Sequence, residues 1–217
     1  YRDYAIVKEM NIVPCYMSQL QFEKYHEVIE KEKAWDKSKQ GQMSDDQPWH
    51  YHTRTRQACN IVFQNDDFRI MKKTKLNEQS LEDEKQRVYQ GLRESQALRM
   101  DRDLSKVSPK MYQMLLNMKT FRKGATSTGK ILFYSDFRGD AGSEAFELVL
   151  QSNGYERFDT MKPQETPGLR YTFITGSESP EERRINKEYY NEEKNMRGEY
   201  IQIMIISSAG AEGLSLT

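Results

Sequence analysis

Long apolar runs are missing from this 217-residue sequence. None approaches the roughly 18 consecutive apolar residues that a bilayer-spanning helix needs. That removes a helical membrane segment, and no secretory signal pattern is visible either. Cysteine is scarce. Cys15 and Cys59 have no CxxC spacing and no histidine at metal-ligand intervals, so both are expected to be reduced and structural, in an intracellular protein. An excess of one charge is also missing: 33 basic and 33 acidic residues cancel. There is no global basic signal for nucleic acid, although zero net charge leaves a local basic groove open. Several catalytic signatures are lacking too, among them GxGxxG, an acidic D-E-x-x box and a Ser-His-Asp arrangement. Gly124–Lys130 matches G-x-x-x-x-G-K, but Ile131 stands where Ser or Thr must meet magnesium. The segment also precedes a strand instead of joining strand to helix, so it reads as a connection. A chain that opens on Tyr1 and stops on a loop is expected to be a piece of a longer protein.

What is present concentrates in the last part of the chain. Ile201–Ile206 is a continuous apolar run that stops at Ser207-Ser208 and passes into the small-residue loop Ala209-Gly210-Ala211-Glu212-Gly213. Such a run reads as a strand covered on both faces, as in a parallel sheet. Taken alone, the stretch fits an ordinary tight turn as well as a phosphate-binding one. Upstream the pattern repeats. Lys130–Tyr134 is a strand, Ser135–Asp140 a loop, and Ser143–Gln151 a helix with Phe146, Val149 and Leu150 inward. Tyr171–Thr175 is the next strand and Gly176-Ser177-Glu178 its loop. Ser179-Pro180-Glu181-Glu182 then opens a helix with a capping box and Pro, carrying Ile185 and Tyr189 one turn apart. Strands alternating with helices predict right-handed crossovers and a parallel α/β sheet. Each strand ends in a hydroxyl residue (Ser135, Thr175, Ser207), which would gather on the edge where α/β ligands bind.

The first half is less regular. Ile12-Val13 before Pro14 reads as an exposed or edge strand. Ser18 opens a helix with Gln21 completing a capping box, Met17 and Phe22 a staple, and Phe22, Tyr25 and Ile29 inward, to about Trp35. Residues 36–58 read as a polar loop. Its His50-Tyr51-His52 lacks further zinc ligands, and Arg54 and Arg56 are set to touch a phosphate backbone or simply to be solvated. Ala58–Phe63 reads as a short strand or a buried extended segment. Residues 65–107 read as a surface helix or insertion, with a thin stripe of Leu81, Val88 and Leu92 and otherwise solvated charges. Ser108-Pro109 marks a sharper boundary, followed by a helix with Met111, Met114, Leu115, Met118 and Phe121 on one face, ended by Gly124.

Taken together, the motifs KILFYSDF, YTFITGS and IMIISSAGAEGLSLT resemble motif IV, the following strand with its Thr-Gly turn, and motif V of superfamily 2 helicases. They are closest to Snf2-like ATPases and those of poxviruses and other large DNA viruses. The resemblance implies an α/β, RecA-like parallel sheet with flanking helices: the second lobe of a P-loop NTPase motor over 108–217, truncated after motif V. A linker or helical extension over 1–107 would follow a first lobe not present here. By the same resemblance Ser135, Thr175, Gly176 and Ser207 would contact the nucleic-acid backbone, while Glu212, Gly213 and Ser215 couple that strand to the ATP cleft. Ser215 stands where Asp or Asn is usual, and no catalytic residue or metal ligand is assigned within the chain. ATP and Mg2+ would be held mainly by the first lobe. Neutral hydroxyls and amides hold phosphates without reading bases, as a sliding motor requires. The implied full-length protein is an ATP-hydrolysing helicase or translocase of viral transcription, and this segment alone would be inactive. Its implied partners are nucleic acid, DNA ahead of RNA, and RNA polymerase or other transcription subunits, with no membrane. Its implied place is intracellular, in the virion core or host cytoplasm. The alternative is a RecA-like lobe kept as a non-catalytic scaffold in a viral transcription or packaging complex.

Overall fold

Burial on both faces decides the centre of the fold. In a computed structural model, which describes residues 10–39, 53–63, 78–121, 129–139 and 141–208, the chain forms four strands: β1 (Ile131–Tyr134), β2 (Glu156–Arg157), β3 (Arg170–Ile174) and β4 (Ile203–Ile206). They pair in the order β1-β4-β3-β2 and every pairing is parallel. Every residue of β3 and β4 is buried, while β1 alternates half-buried and exposed positions at the sheet edge. This is the mixed α/β sheet flanked by helices that a RecA-like fold requires. The strand β2 has no counterpart in the sequence expectation: two exposed residues, Glu156 and Arg157, add to the far edge of β3.

Seven helices accompany the sheet among the described residues: α1 (Gln19–Lys39), α2 (Thr53–Ala58), α3 (Glu78–Glu94), α4 (Leu104–Val107), α5 (Pro109–Phe121), α6 (Ser143–Ser152) and α7 (Pro180–Asn191). One sheet face packs on α6, with Phe133 stacked on Phe146 at 4.1 Å between ring centres. Phe146, Val149 and Leu150 share a core with Tyr171, Phe173, Ile203 and Ile205, as their spacing predicts. Gly154, at φ +88°, turns the chain out of α6. The other face carries Ile174, Met204 and Ile206 against Tyr190 of α7. On α7 the buried residues are Asn186 and Tyr190, each one position past the expected Ile185 and Tyr189, which are half-buried. Its capping box forms as read: Ser179 N–H donates to Glu182, and Glu182 N–H to the Ser179 hydroxyl.

The main core also runs across residue 107. Ile61, Phe63, Val88, Tyr89, Leu92, Leu98, Leu104 and Val107 join Met111, Leu115 and Met118 of α5 in the cluster that fills the α6 face. Thus α3 is not merely a solvated helix. Its Val88–Leu92 face is buried, and Tyr89 donates to Glu144 of α6 at 2.5 Å. The Ser108 cap is present, its hydroxyl accepting from Met111 N–H at 3.2 Å.

Other expectations need correction. Residues 10–17 form no strand, and Ile12 and Val13 are exposed, with no strand paired to them among the described residues. On α1 the Ser18 hydroxyl accepts from Gln21 N–H at 3.0 Å, but the Gln21 amide does not return to the cap. It is buried and donates to Ala58 O at 2.8 Å. That sets the inward face as Gln21, Tyr25 and Val28 and leaves Phe22 exposed; the helix runs to Lys39. Arg54 and Arg56 lie on the helix α2, not on extended chain. Ile61–Phe63 is buried without being a strand, as Val62 N–H donates to Val107 O. His50 to His52 and most of Gly124–Lys130 lie outside the described residues, and so does Gly124 itself.

Candidate nucleic-acid interface

Parallel register sets the geometry of the site. Tyr134 and Ile174 both align with Ile206. One residue further, Ser135, Ser207 and Thr175 stand level on three neighbouring strands, at their carboxyl ends. Ser135 N–H still donates to Ile206 O at 3.3 Å, which carries the ladder to this level. With strands about 4.8 Å apart, the three positions span about 10 Å of one rim. Strand alternation puts all three on the α6 side, in line with Phe133, Phe173 and Ile205.

The three are held differently. The Ser135 hydroxyl is half-buried and donates to Phe137 O at 2.9 Å. Ser207 is buried at the end of β4. Thr175 is buried and engaged within its own turn. Its hydroxyl donates to Glu178 Oε2 at 2.7 Å and accepts from Ser177 N–H at 3.2 Å. Thr175 N–H also donates to Glu178 Oε2, at 2.8 Å. The groups of this turn that meet solvent are Gly176 and Ser177. Glu178 was not singled out from the sequence, because Ser-Glu-Ser-Pro-Glu-Glu looks like a helix cap. Its buried carboxylate instead fixes the turn from below. Glu212, Gly213 and Ser215 lie outside the described residues.

The loop from β1 to α6 is closed just as firmly. Ser143, Glu144 and Ala145 N–H donate to the carbonyls of Phe137, Arg138 and Gly139, so the amino end of α6 is capped by its own loop. A Cβ on Gly142 would fall 1.9 Å from Phe137 O, so only glycine allows this approach. From this loop the exposed Arg138 donates to the Ser177 hydroxyl, bridging the β1 and β3 ends of the rim.

Beside the rim is a cleft of about 250 Å³, lined by Lys85, Arg138 and Arg157 and by Glu144, Glu147, Glu178 and Glu182, among others. Arg157 lies 3.6 Å from Glu147 and 3.5 Å from Glu178, with its guanidinium 4.8 Å from the Phe173 ring centre. Lys85 pairs with Glu144 at 3.0 Å. Tyr171 donates to Glu147 at 2.9 Å, and burial followed by the Glu147 charge raises its pKa above the ordinary phenol value. Thr175 and Ser177 of the rim also line this cleft, where three cations face four carboxylates. Among the described residues no cluster of His, Cys, Asp or Glu is suited to a metal ion, and no helix is long and apolar enough to cross a membrane.

No protein-family model matches the chain. It is 30% identical over 141 residues to the "Termination factor NPH-I homolog" of African swine fever virus, an alignment covering 50% of this chain and 19% of that protein. It is 29% identical over 91 residues to the "Putative helicase 009L" of Frog virus 3, covering 42% of this chain and 9% of that protein. The chain thus spans about a fifth or less of the length of these viral relatives.

Proposed function

We propose that this chain is the second RecA-like lobe of an ATP-dependent helicase or translocase that acts in viral transcription. The observation that carries the reading is the shared level of Ser135, Ser207 and Thr175 on one rim of a parallel sheet. The names of the two viral relatives point the same way. In this reading residues 108–217 form the lobe, and the segment before them leads in from a first lobe. The exposed turn groups of the rim, Gly176 and Ser177, with the Ser135, Thr175 and Ser207 ends beneath them, hold phosphates of a strand, DNA ahead of RNA. RNA polymerase or another transcription subunit is the partner.

ATP and magnesium are assigned mainly to the first lobe. Both helix ends nearest the rim are closed by their own chain, α6 by loop carbonyls and α7 by its capping box. The described residues therefore offer no ATP-phosphate seat at those ends. Glu212, Gly213 and Ser215 would pass the nucleotide state to the rim.

The test uses the full-length protein with Ser207→Ala and Ser135→Ala. Each change removes one neutral donor, worth about 1–1.5 kcal/mol. The single-stranded DNA needed for half-maximal ATPase stimulation should rise roughly five- to tenfold, with DNA-free hydrolysis unchanged. Equal loss of basal and stimulated rates, or no change in either, would count against the assignment.

A further inference from the structure

Resting on that reading, we infer that the phosphate track leaves the three-strand rim and continues over α2, with Arg56 as its next contact. Nothing in the helicase-like motifs includes this residue. The exposed Arg56 guanidinium sits 5.0 Å from the centre of the Phe137 ring, in the closed loop between β1 and α6. A guanidinium laid on an aromatic ring keeps its edge N–H groups free and directed, which suits bidentate contact with a phosphate. Arg138 is the next residue of the same loop and already reaches the rim at Ser177. Arg56, Arg138 and the β3 turn therefore follow one another along one side of the molecule.

This placement is not that of a loose surface arginine. The helix α2 is tied at both ends. Glu32 of α1 accepts from the backbone N–H of Arg54 and Thr55 and from the Thr55 hydroxyl. That carboxylate is thereby engaged with the helix start. At the other end Asn60 donates to Ala141 O at 3.0 Å and accepts from Lys110 at 2.7 Å. Ala58 is buried against Val28 and Val62. Among the described residues no carboxylate lies within ion-pair distance of Arg54, Arg56 or Arg138. In a chain with as many acids as bases, arginines that hold no ion pair among the described residues, set beside the rim, are a local field for a polyanion.

The experiment measures binding of the full-length protein to a fluorescein-labelled single-stranded DNA by anisotropy across a salt series. Arg56→Ala should weaken binding about three- to tenfold and lower the slope of log K against log salt by about 1. Arg56→Lys, which keeps the charge but not the planar fork, should keep the slope and lose part of the affinity. Phe137→Leu should weaken binding without a charge change. Circular dichroism of each variant separates binding loss from unfolding, and Arg56→Lys serves if Arg56→Ala does not fold. Wild-type affinity and slope in the folded Arg56 variants, with Ser207→Ala still weakened, would overturn this inference and leave the rim reading standing. No binding by the wild type, or no effect of either Ser207→Ala or Arg56→Ala, would overturn both.

Discussion

Removing Glu178 should unlock the β3 turn, and the cost can be worked from its contacts. Only 7% of its side chain is exposed. One oxygen accepts both the N–H and the hydroxyl of Thr175, at 2.8 and 2.7 Å. Hydrogen bonds to a charged group contribute about 1.5–3 kcal/mol each, and a buried donor left without an acceptor costs about 1–3 kcal/mol. The contact with Arg157 adds little, since that guanidinium is half exposed and 3.5 Å away. These contributions overlap, so Glu178→Ala should cost about 2–4 kcal/mol in all. Thr175→Val keeps the backbone donor and loses the hydroxyl, for about 1–2 kcal/mol. Thr175→Ser should stay close to wild type. Urea denaturation followed by circular dichroism measures each. At a slope of about 2 kcal/mol per molar, Glu178→Ala moves the midpoint by roughly 1–2 M. The double variant should cost less than the sum of the singles, by about 1–2 kcal/mol. Strict additivity, or a Glu178→Ala cost below about 0.5 kcal/mol, which is the level of a surface change, would refute the claim that this carboxylate holds the turn.

Two further outcomes follow from contacts outside that turn. Gly142→Ala drives a Cβ into Phe137 O and should cost about 2 kcal/mol or more through loop displacement. A thermal midpoint equal to wild type would contradict the closed-loop geometry. Asn195 is fully buried between α7 and β4. Its side chain donates to Tyr190 O and Ile201 O and accepts from Tyr200 and Ile201 N–H. Asn195→Ala should cost about 3–4 kcal/mol. Asn195→Asp should cost at least as much, since a carboxylate faces two carbonyls; an Asp variant as stable as wild type in urea would refute that.

The sheet was legible where burial is two-sided. The strands β3 and β4 are continuous apolar runs because both faces are covered. Strand β1 stood out as Ile-Leu-Phe-Tyr even though Leu132 and Tyr134 are half exposed. Strand β2 left no trace, since Glu156 and Arg157 carry neither alternation nor apolarity. The short helix Thr-Arg-Thr-Arg-Gln-Ala looked like loop because its position comes from Glu32 and Ala58, not from an apolar stripe. The inward face of α1 was misread because a buried glutamine, Gln21, replaces an apolar anchor. At the site, parallel pairing made the level of Ser135, Thr175 and Ser207 readable in advance. The anchoring role of Glu178 and the seat of Arg56 on Phe137 were not readable, although phosphate contact is one of the two readings given for Arg54 and Arg56. Each depends on a partner that local pattern does not flag: the turn's own N–H for one, and Phe137, far along the chain, for the other.

The most direct test of the rim as the strand's seat is contact itself. The full-length protein would be crosslinked by ultraviolet light to single-stranded DNA carrying 4-thiothymidine, and the attached peptides mapped by mass spectrometry. The account predicts crosslinks within 135–139, at 175–178 and at the peptide containing Ser207. Efficient crosslinking confined to other parts of the chain would contradict it.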